Sequence, residues 1–200
     1  MAFVFYLMGP SGSGKDSLIQ GVRACMDLRQ LNGHLLIAHR YITRPWQAGG
    51  ENHLELTEHE FKTRAESGLF CLHWSANHCY YGIGNEIAAW LTVGHSVLLN
   101  GSRGHLQEAK LRFGDQLIPI MIKVDEGLLK NRLENRGRES QSDIQQRIER
   151  TRYFNTQLSH DANQAGFSQY HELHNNGELD KAVAELTTLI DTCRALDGHV

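Results

Sequence analysis

Nine residues, Gly9-Pro10-Ser11-Gly12-Ser13-Gly14-Lys15-Asp16-Ser17, have the types and spacing that hold phosphate. Glycines at 9, 12 and 14 can take up backbone angles closed to other residues, so successive amide N–H groups converge on one point. Lys15 then supplies a mobile full charge for the outer phosphates of a nucleotide. A helix starting there adds roughly half a positive charge at its first turn. The plainer reading of such a pattern is a glycine-rich surface turn carrying a solvated lysine. One position departs from the pattern, which wants Ser or Thr after the lysine as a magnesium ligand; here Asp16 stands there, followed by Ser17. Asp16 could bind the metal directly or through water, or Ser17 could take part instead.

The flanking segments are those a phosphate loop needs, and they argue against the plain turn. Phe3 to Met8 is an apolar run that reads as a buried strand, and Leu18, Ile19, Val22, Cys25 and Met26 recur on one face of a helix. Leu35 to Ala38 reads as a second strand, followed by Arg40 and Arg44 at or beyond its carboxyl end, the edge where open α/β sheets bind ligands. Thr57 with Glu60 three residues on forms a capping box for a helix that stops at Gly68. Leu69–Trp74 and Cys79–Gly82 look like short strands about a polar turn, so residues 44 to 84 interrupt the strand–helix alternation as a candidate subdomain. Glu86–Thr92 and Leu106–Phe113 read as helices, Val97–Leu99 and Gln116–Val124 as strands. Pro119 marks the latter as an edge or a bulge. Phe167–His174 and Leu179–Cys193 close the chain as strand and helix, with Leu179, Val183, Leu186 and Ile190 facing inward.

A second concentration of charge lies at Lys130 to Arg138. A helix from Glu126 puts Arg132 and Arg136 at i and i+4, and with Arg138 they surround Gly137, which suits a flap that closes over polyphosphate. Arg147, Arg150 and Arg152 follow on a helix from Ile144 to Phe154, where Arg150 and Arg152 read as a solvated face. Two hundred residues with a net charge of −3 suit one α/β domain with no general nucleic-acid face. Nothing is apolar enough to cross a bilayer, and the start Met1-Ala2-Phe3-Val4 lacks a basic leader, so a cytoplasmic protein is expected. Cys25, Cys71, Cys79 and Cys193 show no C-x-x-C spacing and read as free thiols; Cys71-x-His73 and His78-Cys79 match no standard zinc site.

One cradle for a triphosphate, arginines at a strand edge and an arginine-bearing flap suit transfer of a phosphoryl group between two phosphates better than hydrolysis. A phosphate acceptor is already ionised near neutrality, so no strong base is required. With those residues in view, most of the chain resembles the guanylate kinase group of nucleoside monophosphate kinases. The matching signatures are GPSGSGKDSL, Thr43-Arg44 with Gly50-Glu51, Tyr80-Tyr81-Gly82, and Arg132-Leu133-x-x-Arg136-Gly137 with Ile144-x-x-Arg147. The resemblance implies a P-loop kinase fold, with a mostly parallel central sheet flanked by helices. It implies one domain over 1–200, containing an acceptor-binding insertion at 44–84 and an arginine-rich lid at 131–145.

Three departures shift the expected acceptor. Guanylate kinases hold guanine with a Glu where Leu72 stands and with an Asp in the Ile-Asp pair replaced by Asn100-Gly101-Ser102-Arg103. The second arginine of their Thr-Thr-Arg-x-x-Arg pattern has become Gln47. A site built to hydrogen-bond guanine loses orders of magnitude without those groups. The pattern here is similar to the ribose 1,5-bisphosphate phosphokinases, a branch tied to phosphonate degradation. That likeness implies ATP with Mg2+ as cofactors and transfer of the γ-phosphate to the 1-phosphate of ribose 1,5-bisphosphate, making 5-phospho-α-D-ribose 1-diphosphate. It carries over Gly9 to Lys15 as the ATP cradle, with Asp16 and Ser17 beside it and Asp16 as the metal residue. Arg132 and Arg136 become lid contacts to the nucleotide, and these with Lys15 and Arg147 are the catalytic set. Arg44 and Tyr81 become acceptor-phosphate contacts; Arg103, Glu51 and His53 join them by position and charge. The partner is a small sugar bisphosphate, with neither nucleic acid nor membrane, and a homodimer is compatible with the sequence. Two other readings are a nucleoside monophosphate (guanylate-like) kinase and a non-enzymatic guanylate-kinase-like binding module.

Overall fold

The computed structural model describes residues 1–29, 35–48, 50–135, 140–164 and 170–195. Their centre is a five-stranded sheet in which every pairing is parallel. β1 (Val4–Met8) lies in the middle, between β7 (Ser96–Asn100) and β8 (Leu117–Lys123). β2 (Leu35–Ile37) and β9 (His171–His174) form the edges, in the order β2-β7-β1-β8-β9. All of β1 and β7 is buried, as strands covered on both faces must be, which is why they read as unbroken apolar runs. On one face α1 (Lys15–Arg29) and α7 (Leu179–Ala195) pack Leu18, Val22, Val183, Leu186 and Ile190 against Phe5, Leu7 and Leu98. Leu179 itself stays 39% exposed, so the inward stripe of α7 begins at Ala182 and Val183. On the other face α3 (Glu86–Thr92) and α4 (Leu106–Phe113) cover Val4, Tyr6, Met8, Val97 and Leu99.

Pro119 is not on an edge strand. β8 is interior, but its ladder with β9 begins only at Ile120, so the strand has one neighbour at the proline and locally keeps an edge.

A second sheet stands over that other face. It contains β3 (Arg40–Ile42), β4 (Leu54–Glu55), β5 (Phe70–Ala76) and β6 (Cys79–Gly84), ordered β4-β3-β6-β5. It therefore starts at Arg40, ahead of the residue 44 that the broken alternation suggested. A three-residue strand two positions after β2 is too short to show its own period. Asn77 and His78 close the β5–β6 hairpin with φ of 49° and 59°, the mirror-image turn whose twist matches the strands. α2 (Glu58–Glu66) begins where its capping box requires, with Thr57 Oγ1 accepting from the Glu60 N–H at 3.1 Å. It docks through Phe61, 4.7 Å from Phe70 and 5.5 Å from Tyr80 between ring centres.

α5 (Glu126–Asn135) and α6 (Gln141–Gln164) share a small core of Leu129, Leu133, Ile144 and Ile148. α6 starts earlier than the apolar pattern suggested because Ser140 and Asp143 cap it reciprocally, side chain to backbone, at 3.2 and 3.1 Å. Arg136 and Arg138 lie outside the described residues. No described helix is long and apolar enough to cross a membrane.

The two sheets meet at the carboxyl end of β7. The Tyr6 hydroxyl donates to the Ser102 carbonyl and accepts from the Ser102 N–H, both at 2.8 Å, and the ring lies flat over Gly101. A Cβ at 101 would sit inside the van der Waals shell of that ring. Gly101→Ala is therefore expected to destabilise the fold by about 1–3 kcal/mol in a denaturant titration, because a buried ring has no room to yield.

Candidate active site

Gly12 and Gly14 both have φ of +87°, the left-handed values the loop needs to point its N–H groups inward. A side chain at Gly9 would meet Ser13 Oγ at 3.0 Å and Ile122 at 3.1 Å. Pro10 and Ser11 form the turn at the tip, where the Ser13 N–H donates to the Pro10 carbonyl at 3.2 Å. The loop is braced from behind by Asn175, one residue past β9, whose Nδ2 donates to the Ser13 carbonyl at 2.8 Å. Lys15 folds back on this loop and donates to the Gly9 and Pro10 carbonyls at 2.9 and 2.8 Å and to Ser13 Oγ at 3.4 Å. Burial pushes its ammonium down to about 7; Asp16 and Glu51 oppose that fall, while Arg40 and Arg103 add to it.

A cavity of about 360 Å³ opens beside the loop, lined by Gly12, Gly14, Ser17, Arg132, Asn135 and Asn175, among others. Arg132 Nη1 lies 3.9 Å from where a Gly14 Cβ would stand, which brings α5 to the phosphate loop. The Asn175 Oδ1 is buried and finds no hydrogen-bond partner among the described residues. Asp16 turns the other way, toward β7: Asn100 Nδ2 donates to its Oδ1 at 2.8 Å, and Gly50 approaches its other oxygen. Asn100 Oδ1 is buried without a hydrogen-bond partner among the described residues, so a carboxylate and an amide oxygen stand together. Oxygen donors of that kind fit Mg2+.

The second sheet brings together the remaining residues expected at the site. Tyr81 is buried and stacks on Trp74 at 5.7 Å and 7° between planes, and Trp74 stacks on His105 at 5.6 Å. Leu72 is buried in the same cluster. Arg40 lies 5.0 Å over the Tyr81 ring and grips Glu51 with both Nε and Nη2. Burial would lower the Arg40 pKa, but the hydrogen bonds and charge of Glu51 outweigh it and leave the guanidinium raised. Arg44 Nε is buried with no hydrogen-bond partner among the described residues. His53 has ring nitrogens 3.0 and 2.9 Å from the Glu51 and Arg44 carbonyl oxygens, so the backbone occupies both and it ties the loop together. Arg103 is half-buried beyond β7, and burial, then the nearby Arg150, lower its pKa to about 10.

Asp16, Arg40, Glu51 and Arg103 thus all lie within electrostatic reach of Lys15, and Arg132 meets the loop from α5. Arg147 is half-buried on α6, one turn before Arg150. Arg136 falls outside the described residues. Arg150 reads as solvated from sequence, yet its charge reaches Arg103; Arg152 does pair on the surface with Glu126. Reading the sequence placed Arg40 at the ligand-binding edge without assigning it a contact, and it did not single out Asn100 or Asn175 as residues of the site. Their one signal is position, just at or after strand ends. Cys71 gives its Sγ–H to the Ile83 carbonyl, and burial pushes the thiol up to about 12, so it packs and does not react.

A parallel sheet with a phosphate loop after its central strand, an inserted mixed sheet and an arginine against the loop define a kinase of the guanylate kinase fold. Guanylate kinase from Anaplasma phagocytophilum superposes with a TM-score of 0.68 at 13% identity, over 96% of this chain and 85% of that one. No family model matches the chain. Ribose 1,5-bisphosphate phosphokinase PhnN of Enterobacter lignolyticus is 46% identical over 94% of this chain and 92% of its own. The same enzyme from Pectobacterium parmentieri is 42% identical over 100% and 99%, and that from Klebsiella pneumoniae 53% identical over 74% and 76%. The chain belongs to the ribose 1,5-bisphosphate phosphokinase family.

The depressed Lys15 has a measurable consequence. Above its folded value of about 7 the ammonium is mostly deprotonated in the empty loop, and polyphosphate restores the charge. At pH 8, binding of a non-hydrolysable ATP analogue should therefore take up close to about one proton, read by calorimetry in buffers of different ionisation enthalpy. Lys15→Met should abolish the uptake.

Proposed function

We propose that this chain transfers the γ-phosphate of ATP to the 1-phosphate of ribose 1,5-bisphosphate, yielding 5-phospho-α-D-ribose 1-diphosphate and ADP. The observation that carries the reading is how the acceptor pocket is filled. Leu72, Trp74 and Tyr81 are buried together as an apolar floor, and the Tyr6 ring covers Gly101, so no side chain can stand at that position. Arg40 lies over the Tyr81 ring of that floor, and both it and Arg103 lie within electrostatic reach of Lys15. That is a pocket for bare anion and not for a purine, which disfavours a guanylate-like kinase. An intact Lys15 and all three loop glycines disfavour a pure binding module.

In this reading Gly9 to Ser17 cradle the β- and γ-phosphates, and Lys15 leaves its carbonyl partners to bind them. Arg44 and Tyr81 hold the acceptor phosphate in line. A non-bridging oxygen of that phosphate forms the new bond to the γ-phosphorus as the bond to the ADP oxygen breaks; the acceptor is already ionised, so no proton need be removed. Arg132, Arg136 and Arg147 close over the transferring group, and one such arginine is worth on the order of 10³–10⁵ in rate. Asp16 and Asn100 would hold Mg2+, which supplies shielding of phosphate charge. His53 braces the acceptor loop without touching substrate. Substrates of this kind, and a net charge of −3 with no basic face for nucleic acid, fit a cytoplasmic small-molecule enzyme.

Supplying ATP, Mg2+ and, in parallel, ribose 1,5-bisphosphate, GMP or AMP tests the reading: the diphosphate product should form, and robust GMP turnover would end it. Arg103→Ala should raise KM for the sugar bisphosphate about 10- to 100-fold, and that for ATP by less than about threefold. Equal losses for both substrates would show Arg103 to be misassigned.

A further inference from the structure

The register of the second sheet sets Arg40 opposite Ile83, and Ile83 opposite Leu72, so the three form one row across the strands. Cross-strand partners share a face, so Arg40 stands on the face that carries Leu72, Trp74 and Tyr81. Arg40 thus places a cation in the row where a base-reading carboxylate is missing. Its side chain is 13% exposed and that of Glu51 10%. A pair this buried adds little net stability, since desolvation offsets most of the attraction. What the pair does is fix an orientation. Glu51 takes Nε, at 2.6 Å, and Nη2, leaving Nη1 outside the pair, while the Tyr81 face fixes the plane of the guanidinium from below.

We propose that Arg40 reads the second, non-reacting phosphate of the acceptor, and that Glu51 is the positioning residue that aims it. The inference rests on the function given above. A sugar bisphosphate has two anionic ends. Arg44, whose buried Nε finds no hydrogen-bond partner among the described residues, stands in the loop after β3 and serves the reacting end. Arg40, at the first residue of β3 and on the Leu72 row, serves the far end, with Arg103 near enough for both charges to bear on Lys15.

Ribose 5-phosphate, which carries only the far phosphate, reads this site directly. It should bind the wild-type protein by calorimetry and compete with ribose 1,5-bisphosphate. Replacing the pair together, Arg40→Gln with Glu51→Gln, leaves no lone buried charge. It should weaken ribose 5-phosphate and raise KM for the bisphosphate about 10- to 100-fold, with ATP affinity changed less than about twofold. Arg40→Lys, which keeps the charge and loses the fork, should fall between, and serves if the pair variant does not fold. Glu51→Gln alone should raise the acceptor KM while the thermal midpoint and ATP affinity hold; a merely structural Glu51 would lower the midpoint and harm both substrates. No binding of ribose 5-phosphate by the wild type, or unchanged binding in a folded pair variant, overturns the assignment. A wild type that binds ribose 5-phosphate but forms no diphosphate product overturns the function instead, and Arg40 is then judged on the binding data alone.

Discussion

A buried cation at the phosphate loop is the constraint on which this site depends. Burial is the main force that depresses the Lys15 ammonium, and Arg40 and Arg103 add to it. Cations do not gather in a low-dielectric pocket without compensation. Asp16 and Glu51 supply it, and each is tied down: Asp16 by Asn100 at 2.8 Å, Glu51 by the two-pronged grip of Arg40. Such an arrangement is poor value as structure and good as preorganisation, because the field is set before any substrate arrives.

The scaffold that makes this possible is rigid where the charges are mobile. The buried central strands end at one level, so β1 delivers the phosphate loop and β7 delivers Asn100, Gly101 and Arg103 to the same edge. The Tyr6 ring is locked to that edge by two bonds to Ser102, and Trp74 of the second sheet reaches it by stacking on His105. From there the stack of His105, Trp74 and Tyr81 runs beneath Arg40. Aromatic surface thus lies under the Arg40 guanidinium, and a charge beside buried apolar surface is felt more strongly than one in water.

Much of the fold was legible because its signals are local. The capping box at Thr57, the apolar runs of β1 and β7 and the stripe of α7 each state their own structure within a few residues. Signals spread over distance were not legible. β3 is three residues long and is a strand only because β6 pairs with it. Pro119 reads as an edge residue, and the late start of β9 is what lets an interior strand carry it. The Ser140–Asp143 cap was missed because the apolar pattern of α6 begins after it.

By itself the sequence carried the pattern that holds a nucleotide's phosphates, and Leu72 where a guanine-reading carboxylate is expected. A glycine-rich loop before a lysine does its work with adjacent backbone amides, and the absence of a carboxylate at Leu72 needs no fold to be seen. Only the tertiary structure decided what replaced the lost groups. That Trp74 stacks on Tyr81, that Tyr6 covers Gly101 and that Arg40 meets Glu51 depend on residues brought together from separate strands and loops. Their pairing follows from strand register and sheet packing, which no local pattern of residue types encodes.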